Sequence, residues 1–159
     1  MKITIICVGK IKESYFTGAV KEYMKRLSRY AKMEIVELAD EKTPDGASIA
    51  EEQQIKAREG ERILKSIREG SYVIVLAIEG KKLSSEQLSQ FVGSRALQGD
   101  SHLTFIIGGS LGLDERVLHR ADYLLSFSDM TFPHQLMRVI LLEQIYRSFR
   151  ILNHEPYHK

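Results

Sequence analysis

Three short stretches and the chain end carry the groups that could do chemistry. The stretches are "LAIEGKKLSS" (76–85), "IIGGSLGLDE" (106–115) and "SFSDMTFPH" (126–134), and the end is "HEPYHK" (154–159). "GGSLG" lets a backbone turn sharply and come close to a ligand with no Cβ in the way. It is not a dinucleotide fingerprint: the spacing is G-G-x-x-G rather than G-x-G-x-x-G, and no Lys-Ser/Thr follows to make a phosphate loop. "FSDMTFPH" offers polar side chains, free backbone groups and a proline-started helix. Together with "AIEG" these loops would form a slot lined by main-chain groups, suited to an adenine-bearing ligand. Each loop taken alone also reads as an ordinary connection.

The terminal "HEPYHK" is unusual because chain ends are generally dispensable. Tyr157 can stack on a base, and His158 can move a proton or orient a ring. Arg138, one turn into the last helical pattern, can meet a phosphate or an anion. His134 follows Pro133 and stands either as a first-turn residue or as a further candidate for proton handling. Cys7 lies within an apolar run and has no His partner in sequence, so nucleophilic thiol chemistry finds no support. No His/Cys/Asp/Glu spacing reads as a metal site, and G-x-S-x-G is absent.

The rest of the chain must position these groups. Five strand candidates, 3–9, 33–39, 72–78, 102–108 and 123–128, alternate with helical patterns. The first, third and fourth are nearly continuous apolar runs rich in Val and Ile, as in parallel strands covered on both faces. The second alternates more and belongs nearer an edge. In 15–30 an apolar stripe of Tyr15, Phe16, Ala19, Val20, Tyr23, Met24 and Leu27 opposes Lys/Arg. Residues 48–69 carry a thinner stripe. Ser84 and Gln87 have capping-box spacing, Asp114 caps a short helix through Ala121, and Pro133 suits the first turn of the last helix. That last pattern is apolar around most of its circumference, so it is either sandwiched inside the domain or buried against a second subunit. The alternation implies a three-layer α/β domain with a mostly parallel sheet, and no linker interrupts 1–159.

The 159 residues are 43% apolar and 28% charged, ordinary for one globular domain. No apolar run reaches the roughly 20 residues of a membrane span. "MKITIICVGK" reads as a strand rather than a secretion signal, and one cysteine offers no disulfide framework, which fits a cytoplasmic protein. The net charge of +2 conceals an asymmetry: residues 1–32 hold eight Lys/Arg against Glu13 and Glu22, and residues 33–70 hold six basic against ten acidic groups. A basic front end fits a polyanion partner, although a solvated helix face would look the same.

"FIIGGSLG", "LSFSDMTFPHQLMRVILLEQIYRSFRI" and the terminal "PYHK", with "KITIICVGK" at the start, resemble the ribosomal RNA large subunit methyltransferase H family along essentially the whole chain. The resemblance implies a SPOUT-class α/β-knot fold with a C-terminal trefoil knot, and a homodimer. It implies methylation at N3 of a pseudouridine in the helix 69 loop of 23S rRNA, on the assembled ribosome, with S-adenosylmethionine as donor and no metal. The partners it implies are 23S rRNA and a second copy of the chain, with neither DNA nor membrane. By motif position the cofactor contacts fall on Leu76, Gly108, Phe127, Ser128, Asp129, Met130, Thr131 and Phe132. Tyr157, His158, Arg138 and His134 are the candidates for chemistry on the base. A non-catalytic RNA-binding module and a nucleotide-dependent oxidoreductase are the rival readings.

Overall fold

The computed structural model describes all 159 residues. Strands and helices alternate: β1 Lys2–Val8, α1 Ser14–Leu27, β2 Lys32–Leu38, α2 Ile49–Ser66, β3 Tyr72–Lys82, α3 Ser85–Leu97, β4 His102–Ile107, α4 Glu115–Arg120, β5 Tyr123–Ser126 and α5 His134–Leu152. The strands form one fully parallel sheet in the order β2-β1-β4-β3-β5. The continuous apolar runs β1, β4 and β3 take the interior places, and the alternating β2 takes an edge.

Side chains alternate across the sheet, so each strand feeds two cores. Ile3, Ile5, Cys7, Ile74, Leu103 and Phe105 point into one layer, where Leu27 of α1, Leu88 of α3 and Leu141, Leu142 and Ile145 of α5 meet them. Ile6, Val8, Val73, Val75 and Ile106 point to the other face, against Ile63 of α2 and Val117 of α4. Each such aliphatic side chain stabilises the fold by about 1.5–3 kcal/mol. Truncating the fully buried Leu141 to Ala would cost about 2–5 kcal/mol.

Helix α5 is thus sandwiched between α1 and α3 over the sheet. Its inner faces are used within the chain, while Leu136, Val139 and Ile140 remain partly exposed along a third. The Ser84 capping box forms, a second one forms at Ser48 with Glu51, and Asp114 accepts from the Arg116 N–H. Pro133 sits one residue ahead of its expected place, as the cap of α5.

β3 runs four residues past the expected end at 78, and in an irregular way. Leu76 and Lys81 both pair with Leu125, so Ala77, Ile78, Glu79 and Gly80 bulge out of the ladder. Gly80 makes the bulge possible: a Cβ there would lie 2.7 Å from the carbonyl carbon and oxygen of Leu124 and 2.8 Å from the Leu125 nitrogen. No helix is long and apolar enough to cross a membrane.

Candidate active site

The carboxyl ends of β3, β4 and β5 open into a pocket of about 320 Å³, within the usual range for small-molecule sites. Its walls are the 76–79 bulge, the glycine loop after β4, the 126–132 loop after β5, and the first turn of α5 with His134 and Met137. Open α/β sheets bind ligands at this edge.

The two loops that follow β4 and β5 leave their peptide groups largely free. Within 108–113 a single backbone hydrogen bond forms, from the Gly112 N–H to the Gly109 carbonyl at 3.1 Å, and 127–132 makes none to another backbone group. Ser128 holds its own loop: its Oγ accepts from the Met130 N–H at 2.9 Å, and its carbonyl accepts from Ser126 Oγ at 3.2 Å. Backbone donors and acceptors left unpaired at the wall of a partly apolar pocket call for a polar ligand. Gly108 fits the same purpose. A Cβ on it would stand 2.8 Å from Leu113 Cγ, so the strand end and the loop can approach only without a side chain. A purine nucleoside, flat and edged with donors and acceptors, matches these groups.

Of the residues carried over by motif, Leu76, Gly108, Phe127, Ser128, Met130, Thr131 and Phe132 line this pocket. Asp129 does not: it is exposed and pairs with Lys82 at 2.5 Å, tying the loop to the end of β3. His134 lines the pocket. Burial, with the Arg138 charge added, holds its pKa below the ordinary value, which favours the neutral imidazole.

Arg138 is placed differently from a phosphate-binding side chain. It is 1% exposed, donates from Nη1 to Glu37 Oε2 at 2.6 Å and from Nη2 to the Gly9 carbonyl at 3.1 Å, and keeps Nε without a partner. Glu37 also accepts from the Ile11 N–H at 3.1 Å. The arginine therefore locks the turn after β1 against α5, directly behind His134. A Cβ on Gly9, whose φ is +94°, would come within 3.4 Å of the His134 ring.

The tail does not line this pocket. It folds back on its own helices. Glu155 pairs with Arg150 and accepts from Tyr30 Oη at 2.8 Å, and Arg150 also donates to the Pro156 carbonyl at 2.8 Å. Tyr157 donates to Glu143 Oε1 at 3.0 Å and lies under the Arg147 guanidinium, 4.7 Å from ring centre to Cζ. Burial, reinforced by the Glu143 carboxylate, pushes its phenol up to about 12. His158 sits between Arg147, 3.1 Å from its Nδ1, and Glu86 Oε1, 2.6 Å from its Nε2. A guanidinium can only donate, so Nδ1 accepts and the ring proton resides on Nε2, facing Glu86. The structure thus brings Tyr157 and His158 together with Glu86, Glu143 and Arg147, apart from His134 and the loops.

Two features escaped the sequence reading. Ala77, Ile78 and Glu79 of the "AIEG" stretch line the pocket as expected, but they do so as a bulge within β3 rather than as a loop beyond it, and only the oddity of "EGKK" closing an apolar strand hints at the bulge. Glu59 of α2 is buried, accepts from the Glu41 N–H at 2.9 Å, and stands against Gly109. Burial, foremost, raises its pKa. Cys7 is buried and its thiol is pushed up to about 12 by desolvation, so it is inert at neutral pH. No group of three or more His, Cys, Asp or Glu side chains converges to hold a metal ion.

The chain that builds this sheet and pocket matches methyltransferases of one class. The family described as "Predicted SPOUT methyltransferase" matches residues 1–158. A probable methylase family protein from Haemophilus influenzae has the same fold, with a TM-score of 0.54, 14% identity, and coverage of 99% of this chain and 70% of that one. Relatives named ribosomal RNA large subunit methyltransferase H are far more similar. Those of Bifidobacterium adolescentis, Clostridium botulinum and Acetivibrio thermocellus are 65%, 62% and 58% identical over 159 residues, spanning the whole of both chains. The chain belongs to the SPOUT methyltransferases and, within them, to the ribosomal RNA large subunit methyltransferase H family.

Proposed function

We propose that this protein methylates N3 of a pseudouridine in the helix 69 loop of 23S rRNA, with S-adenosylmethionine as donor, acting as a cytoplasmic homodimer on the assembled ribosome. The observation that carries the reading is the pair of loops, 108–113 and 127–132, whose unpaired peptide groups face one pocket beside Gly108. The relatives' name supports ribosomal RNA as the substrate. The family's trefoil knot belongs to the same reading, and the order β4-β3-β5 supports it by setting the two loops on either side of the β3 bulge, around one pocket.

When bound, S-adenosylmethionine supplies a methyl group on a sulfonium, which leaves by in-line displacement as a neutral thioether. The chain's contribution is positioning, which can account for roughly 7–11 kcal/mol of such a barrier. The backbone of 108–113 and 127–132 holds the nucleoside, and Leu76, Phe127 and Phe132 exclude water from it. The N3–H of the base is a weak acid and must lose its proton, where a well-placed acceptor is worth about 10²–10⁴-fold. Tyr157, with its phenol raised, stays protonated at neutral pH and serves as a stacking surface and donor. His158 is the group for the proton.

The tail is held away from its own subunit's pocket, so this reading has it serve the pocket of the second subunit. Leu136, Val139 and Ile140, the apolar surface of α5 left over, are the contact that would bring it there. The front-end cations Lys10, Lys12, Lys21, Lys25, Arg29 and Lys32 are exposed, while Lys2 and Arg26 pair with Glu34 and Glu22. They supply charge for a phosphate backbone.

The test is methylation by the purified protein of 70S ribosomes, isolated subunits and free rRNA. Label should appear at one pseudouridine and in ribosomes foremost. Equal labelling of free rRNA would remove the ribosome from the account.

A further inference from the structure

The pocket contains one carboxylate, and nothing in the protein uses it. Among the residues lining it, Glu79 is the only acidic one, and His134 is the only other ionisable side chain. Glu79 makes no hydrogen bond or ion pair with any other side chain, in contrast to neighbouring Lys82, which is tied to Asp129. Its position is nevertheless built. It sits in the 77–80 bulge, forced out of the ladder because Leu76 and Lys81 share one partner, Leu125. The bulge is fixed by Gly80, packed against the Leu124–Leu125 backbone too closely for any side chain. A strand that continued regularly from Leu76 would turn this carboxylate away from the cavity mouth.

We propose that Glu79 is the ribose-binding residue of the pocket, accepting hydrogen bonds from the 2′- and 3′-hydroxyls of the donor's nucleoside. This rests on the S-adenosylmethionine reading above. A carboxylate oxygen pair accepts from two adjacent hydroxyls at once, as acidic residues do in other nucleotide folds. Of the ligand's other cationic or donating parts, the adenine amino group can be met by free carbonyls, the sulfonium has no proton to donate, and the amino acid end is a zwitterion whose own carboxylate already neutralises the ammonium, so an external carboxylate gains less there. The neighbouring walls divide accordingly: free peptide groups of 108–113 and 127–132 for the base edge, and the half-exposed bulge for the sugar.

The assignment is tested by calorimetric binding of S-adenosylhomocysteine, 5′-methylthioadenosine and the 2′-deoxy form of the latter. Glu79 is exposed and partnerless, so Glu79→Ala should melt with the wild type; Glu79→Gln, which keeps the shape and one acceptor, is the second variant. Glu79→Ala should bind S-adenosylhomocysteine and methylthioadenosine about 10-fold more weakly, the worth of hydrogen bonds to a charged acceptor. Glu79→Gln should fall between. The wild type should discriminate against the 2′-deoxy ligand by a similar factor, and Glu79→Ala should not. Unchanged binding of both ribosides by Glu79→Ala overturns the proposal. So does a loss confined to S-adenosylhomocysteine, which would put Glu79 at the amino acid end. A wild-type protein that binds none of the three would instead sink the S-adenosylmethionine reading and this inference with it.

Discussion

Gly108→Val should cripple ligand binding while sparing the fold, and the structure says by how much. The first added atom alone would lie 2.8 Å from Leu113 Cγ, 2.9 Å from its Cδ2 and 3.4 Å from the Gly112 carbonyl oxygen. The first two contacts are far inside van der Waals distance, but they fall on a side chain that can swing. Leu113 itself lines the pocket, so the space it swings into is the ligand's. Overpacking of this kind costs about 1–3 kcal/mol. If that cost is taken in the bound state, affinity falls roughly 5- to 150-fold. Without ligand, much of it is relieved into the cavity, and a loss of 1 kcal/mol would lower the melting temperature by only about 2–4 °C. Calorimetry with S-adenosylhomocysteine, alongside a melting curve, measures both. Leu113→Ala in the Gly108→Val background removes the clashing atoms and should restore part of the affinity. Full binding by a folded Gly108→Val protein would refute the placement of the ligand. Failure of Leu113→Ala to recover any binding would refute the steric mechanism.

Deleting 154–159 removes Tyr157 and His158 but no pocket residue, so it should abolish methyl transfer and leave S-adenosylhomocysteine affinity within about 2-fold. His158→Ala alone should lower turnover by about 10²–10⁴-fold, and wild-type rates in either variant would show that the tail is not catalytic. Val139→Asp puts a charge on the unused face of α5 and should turn the dimer expected by light scattering at micromolar concentration into a monomer; a monomeric wild type would remove the homodimer from the account. His134 has its pKa lowered by burial and by Arg138, so between about pH 6.5 and its folded value the unfolded chain binds the extra proton. The stability it confers is complete above about pH 6.5 and is lost as pH falls through that window. His134→Gln should therefore flatten the decline in melting temperature between about pH 7 and 5, and an unaltered slope would show that another group titrates there.

The layers of the fold were legible because burial on both faces leaves a direct trace: "ITIICV", "YVIVLA" and "LTFII" have no polar side to show to water, and they occupy the interior of the sheet. The capping pairs at Ser84 and Asp114 were legible for a similarly local reason. Ser84 and Gln87 satisfy each other's orphan N–H groups, and the Asp114 carboxylate takes the Arg116 N–H, whatever the rest of the chain does. The β3 bulge was not legible, since it arises from two residues of one strand competing for Leu125 on another that lies more than 40 positions away in sequence. Arg138 was read as a free cation from its place one turn into a helix beside a loop. Its burial depends on Glu37 and Gly9, on strands and turns at the opposite end of the chain. The tail was legible as a dense set of functional groups, whereas its seat against Glu86, Glu143 and Arg147 depends on how α3 and α5 cross.

The central claim is that this pocket and tail methylate one base in ribosomal RNA. Its most direct test is mass spectrometric mapping of large-subunit rRNA from ribosomes lacking the modification, incubated with the protein and S-adenosylmethionine bearing a labelled methyl group. The account predicts one labelled nucleotide, N3-methylpseudouridine in the helix 69 loop, and none with the chain truncated at residue 153. Label on any other nucleotide, or no label from a protein that binds S-adenosylhomocysteine, would contradict it.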